Sequence, residues 1–163
     1  MSLFEICQWI QHTETSTGIR ESLYVFPLIE GTHVLALTIS VGSVMWFDLR
    51  LLGLAMRSER VSDVFGYFRP WMTGGFAVMF GSGFLLFWSR AEACYASGYF
   101  RIKLLLLLLA LLNIVVYHLT VDRRIANWDA SLIPPIGARL AGLISLVLWL
   151  GIIAAGRIMA YTL

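Results

Sequence analysis

The chain has 163 residues, of which 59% are hydrophobic and 13% are charged, and its formal net charge is +2. Ordinary soluble domains carry about 25% charged residues, and a soluble fold of this size cannot bury so much apolar surface. The composition therefore excludes a disordered chain, a secreted disulfide scaffold and a soluble nucleic-acid binder, and it predicts a protein whose solvent is lipid.

The N-terminal segment predicts a helix that lies on the membrane. Residues 2–12 place Leu3, Phe4 and Ile6 on one helical face, but the stretch is too short to span a bilayer. The polar link TETSTGIRES follows, so residues 1–22 form an amphipathic interfacial segment and link. No basic, cleavable leader precedes them, and we expect the first span to act as its own insertion signal.

Four later segments are long and apolar enough to cross about 30 Å of hydrocarbon. The predicted fold class is therefore all-α: a polytopic four-helix transmembrane bundle over residues 23–163. Pro70 suits the first turn of the second span, and Pro134-Pro135 precede the fourth. The predicted spans are about 23–47, 70–88, 102–120 and 137–160.

The distribution of cations predicts an orientation. The loops after the first and third spans hold seven of the twelve Lys and Arg residues, and the opposite side holds five. By the positive-inside rule we expect both loops to be cytoplasmic and both termini to lie outside. Since the cations form no basic face, we expect no nucleic-acid partner. Cys7 and Cys94 have no neighbouring cysteine, which argues against a disulfide framework or a zinc site.

Charged residues inside the first and fourth spans repeat one spacing. Glu30 and Asp48 are eighteen residues apart on the first span, and Arg139 and Arg157 repeat this distance on the fourth. Eighteen residues make five helical turns, so each pair shares a face. If the two spans are antiparallel neighbours, Glu30 would meet Arg157, and Asp48 would meet Arg139, as a double clamp on helix register. The alternative is that all four groups reach water separately at the interfaces.

His33 is the candidate cofactor ligand. It lies one turn deeper than Glu30, and Lys103, Arg157 and Tyr161 are expected at the same depth. A histidine in a four-helix membrane bundle suggests an axial ligand of haem, whose propionates favour nearby cations such as Lys103, Arg157 or Arg101. The alternative is a histidine with a purely structural hydrogen bond.

His118 is a second candidate metal ligand, near the far end of the third span. It differs from His33 in depth by about 15 Å or more, so one haem could not bind both. A haem on His33 would be five-coordinate, or it would be completed by His12, a methionine or another subunit. The chain has no CxxCH motif, which leaves haem b.

Small residues predict close helix contacts, either within the bundle or with a second copy in a homo-oligomer. Asn113 and Tyr117 share a helix face and could hydrogen-bond to Thr38 or Ser40 as packing contacts. The rows of small residues comprise Ala77 and Gly81 on the second span and Gly137, Ala141, Ser145, Gly151 and Ala155 on the fourth.

Several blocks of the chain resemble a family of uncharacterised bacterial four-helix membrane proteins, known only as a domain of unknown function. They are GTHVLALTISVGSVMWFDLRLLGL after Glu30, FRIKLLLLLLALLN with the YH that follows it, NWD, and the closing ISLVLWLGIIAAGRIMAY. The resemblance covers nearly the whole chain from about Leu23, and it implies a fold and a membrane location without an activity.

A more distant resemblance concerns two positions. Two features look like the copper resistance protein D and membrane protoporphyrinogen oxidase families. One is the histidine of the first span with small residues after it, and the other is the F..K that leads a leucine-rich helix. This resemblance implies functional roles for His33 and Lys103, the second family being associated with haem. Copper transport is the weaker implication, because the methionines of this chain are scattered.

Three functions follow as hypotheses. The first is a b-type haem-binding or porphyrin-binding redox subunit, an electron-transfer protein of the membrane. The second is a non-catalytic scaffold or accessory subunit of a membrane complex or homo-oligomer, whose buried charges only set helix register. The third is a small transporter, although the chain shows neither inverted repeats nor interrupted helices.

Overall fold

The computed structural model describes residues 2–162, and over these residues the chain is helical, without strands. The helices are α1 (Leu3–Gln11), α2 (Glu14–Glu21), α3 (Val25–Leu51), α4 (Val61–Ser89), α5 (Ala91–Ala96), α6 (Gly98–Thr120) and α7 (Ile136–Thr162), with a 3₁₀ turn at Asp122–Asn127.

Helices α3, α4, α6 and α7 are long and apolar enough to cross a membrane, which confirms the all-α, four-span architecture. Two boundaries differ from the predicted ones. Helix α4 begins at Val61, so Pro70 lies inside the helix instead of in its first turn. The predicted polar link contains α2, because the Thr13 side chain accepts a hydrogen bond from the Ser16 backbone N–H and caps this helix.

The short helices cover one end of the bundle, here called the terminal end. Helix α1 starts with a capping box between Ser2 and Glu5 and packs against α5. The indole of Trp88, at the end of α4, donates to the Ile10 carbonyl and the Thr13 hydroxyl. The N-terminal helices are therefore fixed to the bundle by hydrogen bonds as well as by apolar packing.

Helix α3 lies between two of the other spans. It packs against α4 on one side and α7 on the other, and α6 packs against α7. The expectation that the first and last spans are neighbours is thus confirmed, and they run in opposite directions. The order around the bundle is α4, α3, α7, α6, and α4 and α6 do not pack against each other along their length.

Two glycines let the neighbours of α3 approach it closely. A Cβ on Gly75 of α4 would lie 2.8 Å from Cβ of Ser40 and 3.0 Å from its backbone nitrogen. A Cβ on Gly142 of α7 would lie 3.0 Å from the Asp48 carbonyl oxygen. These contacts involve backbone atoms, so the neighbouring helix cannot move aside easily. The two helix pairs reach their short separation because glycine has no side chain at these crossings.

The opposite end, here called the loop end, is organised by a buried arginine. Arg50 is 0% exposed, and its guanidinium donates to the carbonyls of Glu59 and Ser131, one in each loop. Just after it, Gly53 has φ +71° and its N–H bonds to the Arg50 carbonyl, while the Leu54 N–H bonds to the Leu49 carbonyl. This Schellman motif ends α3 and turns the chain into the first loop.

Asp129 caps α4 from the other loop. Its carbonyl accepts the Val61 N–H, and its carboxylate accepts both the N–H and the hydroxyl of Ser62. Partial burial of Asp129 acts to raise its pKa, but the hydrogen bonds from Ser62 and the charges of Arg60 and Arg50 outweigh it and hold the pKa below the ordinary value.

Neither predicted ion pair is formed in the part of the chain that the structure describes. Glu30 and Arg157 are both exposed, and Arg157 bonds to the Tyr161 hydroxyl at 2.8 Å instead. Asp48 is buried beside Gly142 of α7, whereas Arg139 lies on an exposed face. The two side chains of the second pair therefore leave the bundle interface in different directions, and the double clamp does not form.

We expect Gly75→Ala to destabilise the bundle by about 1–3 kcal/mol, because the new Cβ would overlap Ser40. Gly74→Ala is the matched control, since nothing lies within 4 Å of a Cβ there, and it should be neutral or stabilising by up to about 1 kcal/mol. The measurement is the free energy of unfolding in bilayers by steric trapping. Equal values for the two variants would contradict this helix contact.

We expect Asp129→Ala to cost about 1 kcal/mol at neutral pH, as loss of a helix cap does. Because the folded-state pKa of Asp129 lies below its unfolded value, this stability is present above the unfolded pKa and is lost as the pH falls through the folded pKa. The difference between wild type and variant should therefore shrink below about pH 4. Glu59→Gln, at an exposed side chain in the first loop, serves as the control. A difference that is independent of pH would rule out the carboxylate cap.

Candidate functional site

Two adjoining cavities lie between α4 and α6. The first, of about 530 Å³, is lined by His33 and Lys103 and is called the His33 cavity. The second, of about 300 Å³, is lined by Asp48 and Tyr117 nearer the loop end and is called the Asp48 cavity. Three residues line both of them: Phe80, Leu107 and Trp149.

The cavities open sideways, toward the lipid. Several residues that line them are also about half exposed on the outer surface of the bundle, among them Phe80, Phe84 and Leu104. Aromatic side chains bridge the gap between α4 and α6 at each end. Phe87 stacks on Phe100 with ring centroids 5.5 Å apart at the terminal end, and Phe65 meets His118 edge-on at 6.2 Å at the loop end. An apolar molecule would therefore enter from the bilayer, between these two bridges.

His33 is held in one tautomer by α4. Its Nδ1 lies 2.9 Å from the Met79 carbonyl oxygen and 3.1 Å from the Ser82 hydroxyl oxygen. A carbonyl oxygen can only accept, so Nδ1 carries the proton and donates a hydrogen bond to the Met79 carbonyl oxygen. Nε2 is then the unprotonated nitrogen, with a lone pair that can bind a metal. A backbone carbonyl on the other ring nitrogen is the arrangement that orients metal-binding histidines in proteins.

Gly83 makes room for the imidazole ring. A Cβ at this position would lie 3.0 Å from Cε1 of His33 and 3.4 Å from its Nδ1. The ring therefore rests on the bare backbone of α4, with Met79 and Ser82 fixing its rotation. The result is a ring held in one orientation at the wall of the cavity.

Lys103 lines the same cavity from α6. Its ammonium nitrogen would lie 3.6 Å from a Cβ on Gly156, so the lysine side chain packs along α7. No carboxylate of the described residues lies within salt-bridge distance of it. A cation at membrane depth without an anionic partner is costly, and a bound molecule with a carboxylate would neutralise it.

The structure brings together only part of the predicted site. His33 and Lys103 share a cavity, whereas Arg157 and Tyr161 do not line it and instead contact each other through a hydrogen bond and a cation–π contact at 4.7 Å. Both of these side chains are exposed, and Tyr161 is 75% exposed.

The other two histidines lie elsewhere. His118 hydrogen-bonds to Asp122 at 2.9 Å and lines the Asp48 cavity, not the cavity of His33. His12, in the N-terminal helices, contacts the Gln8 carbonyl through its Nδ1. Within residues 2–162 no group of three or more His, Cys, Asp or Glu side chains could hold a metal ion by itself.

The partners of His33 on α4 and the aromatic walls of the His33 cavity were not among the residues predicted from the sequence. The Met79 carbonyl gives no sequence signal, because any residue could supply it. Gly83 did carry a signal, since small residues in a span mark close contacts, but the predicted rows named Gly81 instead. The aromatic walls consist of Phe80, Phe84, Phe87, Phe100 and Trp149.

Comparison with known families assigns the chain to one of them. A family model described as a family of unknown function, DUF6644, matches residues 18–162. The chain belongs to this family. No curated protein and no solved structure matches it. Membership agrees with the resemblance to an uncharacterised membrane family, and it supplies no activity.

Proposed function

We propose that this member of the DUF6644 family is a b-type haem-binding membrane protein that serves as a redox or electron-transfer subunit. The observation that carries the proposal is the pairing of His33 and Lys103 in one lipid-facing cavity. The imidazole offers a lone pair at Nε2, and the ammonium offers a charge that lacks a carboxylate partner. Haem is a ligand that needs both, an axial nitrogen for iron and a cation for its propionates.

The surroundings of the two groups support this ligand class. The cavity volume of about 530 Å³ lies within the usual range for cofactor sites, and its walls are mainly apolar and aromatic. The lateral opening would let one edge of a porphyrin face the acyl chains.

Each residue would have a separate task. His33 would bind the iron through Nε2, and its Nδ1–H bond to Met79 would fix the ring and increase its basicity. Lys103 would bind a propionate and set which way the macrocycle enters. Neither His12 nor His118 lines this cavity, so His33 would be the histidine that holds the iron, and a methionine or a second subunit would supply any further ligand.

Location and assembly belong to the same proposal. We place the protein in a bacterial inner membrane with its termini in the periplasm, because the cations favour cytoplasmic loops at the loop end. A homo-oligomer or a larger membrane complex would bring the haem close to an electron partner.

We expect protein purified from haem-replete cells to show a Soret band and about one haem per chain. His33→Ala should abolish the band, because it removes the iron ligand. His118→Ala is the matched control, since His118 is also part of a span but contacts Asp122, and it should leave the band unchanged. The measurement is the absorbance spectrum together with a pyridine haemochrome assay. Colourless, iron-free wild-type protein would contradict the proposal and favour the non-catalytic accessory subunit.

We expect Lys103 to distinguish haem from its dimethyl ester. Wild-type apoprotein should bind haem about tenfold more tightly than the ester, as loss of a charged hydrogen-bonded contact implies. Lys103→Met should lose this preference while it retains the Soret band of the histidine complex. Arg157→Met, at the exposed pair with Tyr161, should keep the full preference. If Arg157→Met removes the preference and Lys103→Met does not, the propionate assignment is wrong.

A further inference from the structure

Two of the side chains that line the Asp48 cavity each carry a buried polar atom without a hydrogen-bond partner. These atoms are Oδ2 of Asp48 and the hydroxyl oxygen of Tyr117, on side chains that are 3% and 5% exposed. Neither atom finds a partner among residues 2–162. A buried polar group left unpaired costs about 1–3 kcal/mol, so two of them on one cavity indicate a ligand that pairs with both.

The neighbouring groups define what this ligand must offer. Ser145 lines the cavity with Asp48, and the Asn113 side-chain amide donates to the Ala141 carbonyl, which leaves the Asn113 oxygen as a further acceptor. The Tyr117 hydroxyl can donate. The ligand head must therefore donate to Asp48 and also present an oxygen that accepts from Tyr117.

Charge excludes two other kinds of lipid-soluble ligand. No lysine or arginine lines this cavity, so a fatty acid would place its carboxylate beside Asp48 without a neutralising cation. A protonated amine would satisfy Asp48 but would leave the Tyr117 O–H without an acceptor. A neutral head that carries hydroxyl groups meets both requirements.

The walls favour a flat ring. Aromatic side chains from four helices surround the cavity, and Phe76 of α4 stacks on Trp149 of α7 with centroids 5.4 Å apart. The volume of about 300 Å³ suits a single substituted ring rather than a fused polycycle. The half-exposed lining residues Leu111 and Ile114 place the opening at acyl-chain level, where a long apolar tail could leave. The remaining aromatic side chains of the lining are Phe47, Phe65, Phe80, Tyr117 and His118.

We propose that the Asp48 cavity binds the dihydroxylated ring of a membrane quinol, with one hydroxyl donating to the Asp48 carboxylate and one ring oxygen accepting from the Tyr117 hydroxyl. The site goes beyond haem binding and does not require it, because it shares with the His33 cavity only Phe80, Leu107 and Trp149.

The test measures retention of tritiated decylubiquinol by the full chain in quinone-free phosphatidylcholine nanodiscs under reducing conditions. Wild type should bind it saturably, with one site per chain. Tyr117→Phe removes only the hydroxyl and should weaken binding about tenfold, and Asp48→Asn should weaken it about three- to tenfold. Tyr67→Phe, at a tyrosine that is 68% exposed and outside the cavity, is the matched control and should bind like wild type.

Competition experiments test which groups of the quinol ring the cavity recognises. The quinol with both hydroxyls methylated should not displace the label, and neither should decanol. Binding that does not saturate, or that is equal in Tyr117→Phe and Tyr67→Phe, would overturn the proposal. Displacement by decanol at equal concentration would also overturn it, since the cavity would then accept any lipid alcohol. Thermal unfolding of each variant verifies that it is folded.

His33→Ala separates this site from the haem site. If the variant loses the Soret band and keeps quinol binding, both proposals stand as independent sites. A wild-type protein that shows the Soret band but binds no quinol would refute the quinol site alone. A colourless wild-type protein that binds quinol would refute haem binding alone.

Discussion

The close packing of α3 against both α4 and α7 is the constraint on which the rest of the bundle depends. Gly75 lets α4 contact the backbone of Ser40, and Gly142 lets α7 contact the backbone of Asp48. With the central helix held this tightly on two sides, α4 and α6 are left apart at the fourth side of the bundle. Both cavities lie in that gap. A larger residue at either glycine would therefore affect the cavities as well as the fold.

The architecture could be predicted from the sequence because hydrophobic length alone identifies a spanning helix. The packing between helices could not. The spacing of Glu30 and Asp48 predicts that they share a face of α3, but it carries no information about the crossing with α7. Asp48 is buried beside Gly142 of α7, and Arg139 lies on an exposed face. An equal spacing on two helices is therefore weak evidence for ion pairs between them.

For the candidate site as well, the level of the residues along the helices could be predicted from the sequence, but the directions of their side chains could not. Depth along the helices placed His33 and Lys103 at one level, and the structure gives them a common cavity. Depth alone predicted the same role for Lys103 and Arg157. The two side chains leave their helices in different directions, and depth does not reveal this. Arg157 contacts Tyr161 one turn later on its own helix. The partners of His33 on α4 depend on the rotation of that helix, which a nearly uniform apolar surface does not reveal.

The sideways opening between the Phe87–Phe100 and Phe65–His118 bridges changes what an affinity for this protein means. A molecule that enters there comes from the bilayer, so its relevant concentration is the number of molecules per volume of lipid. A weakly binding, strongly lipophilic compound can then saturate the protein at a very low total amount. Dilution with extra lipid would empty the cavities, whereas dilution with extra buffer would hardly change their occupancy.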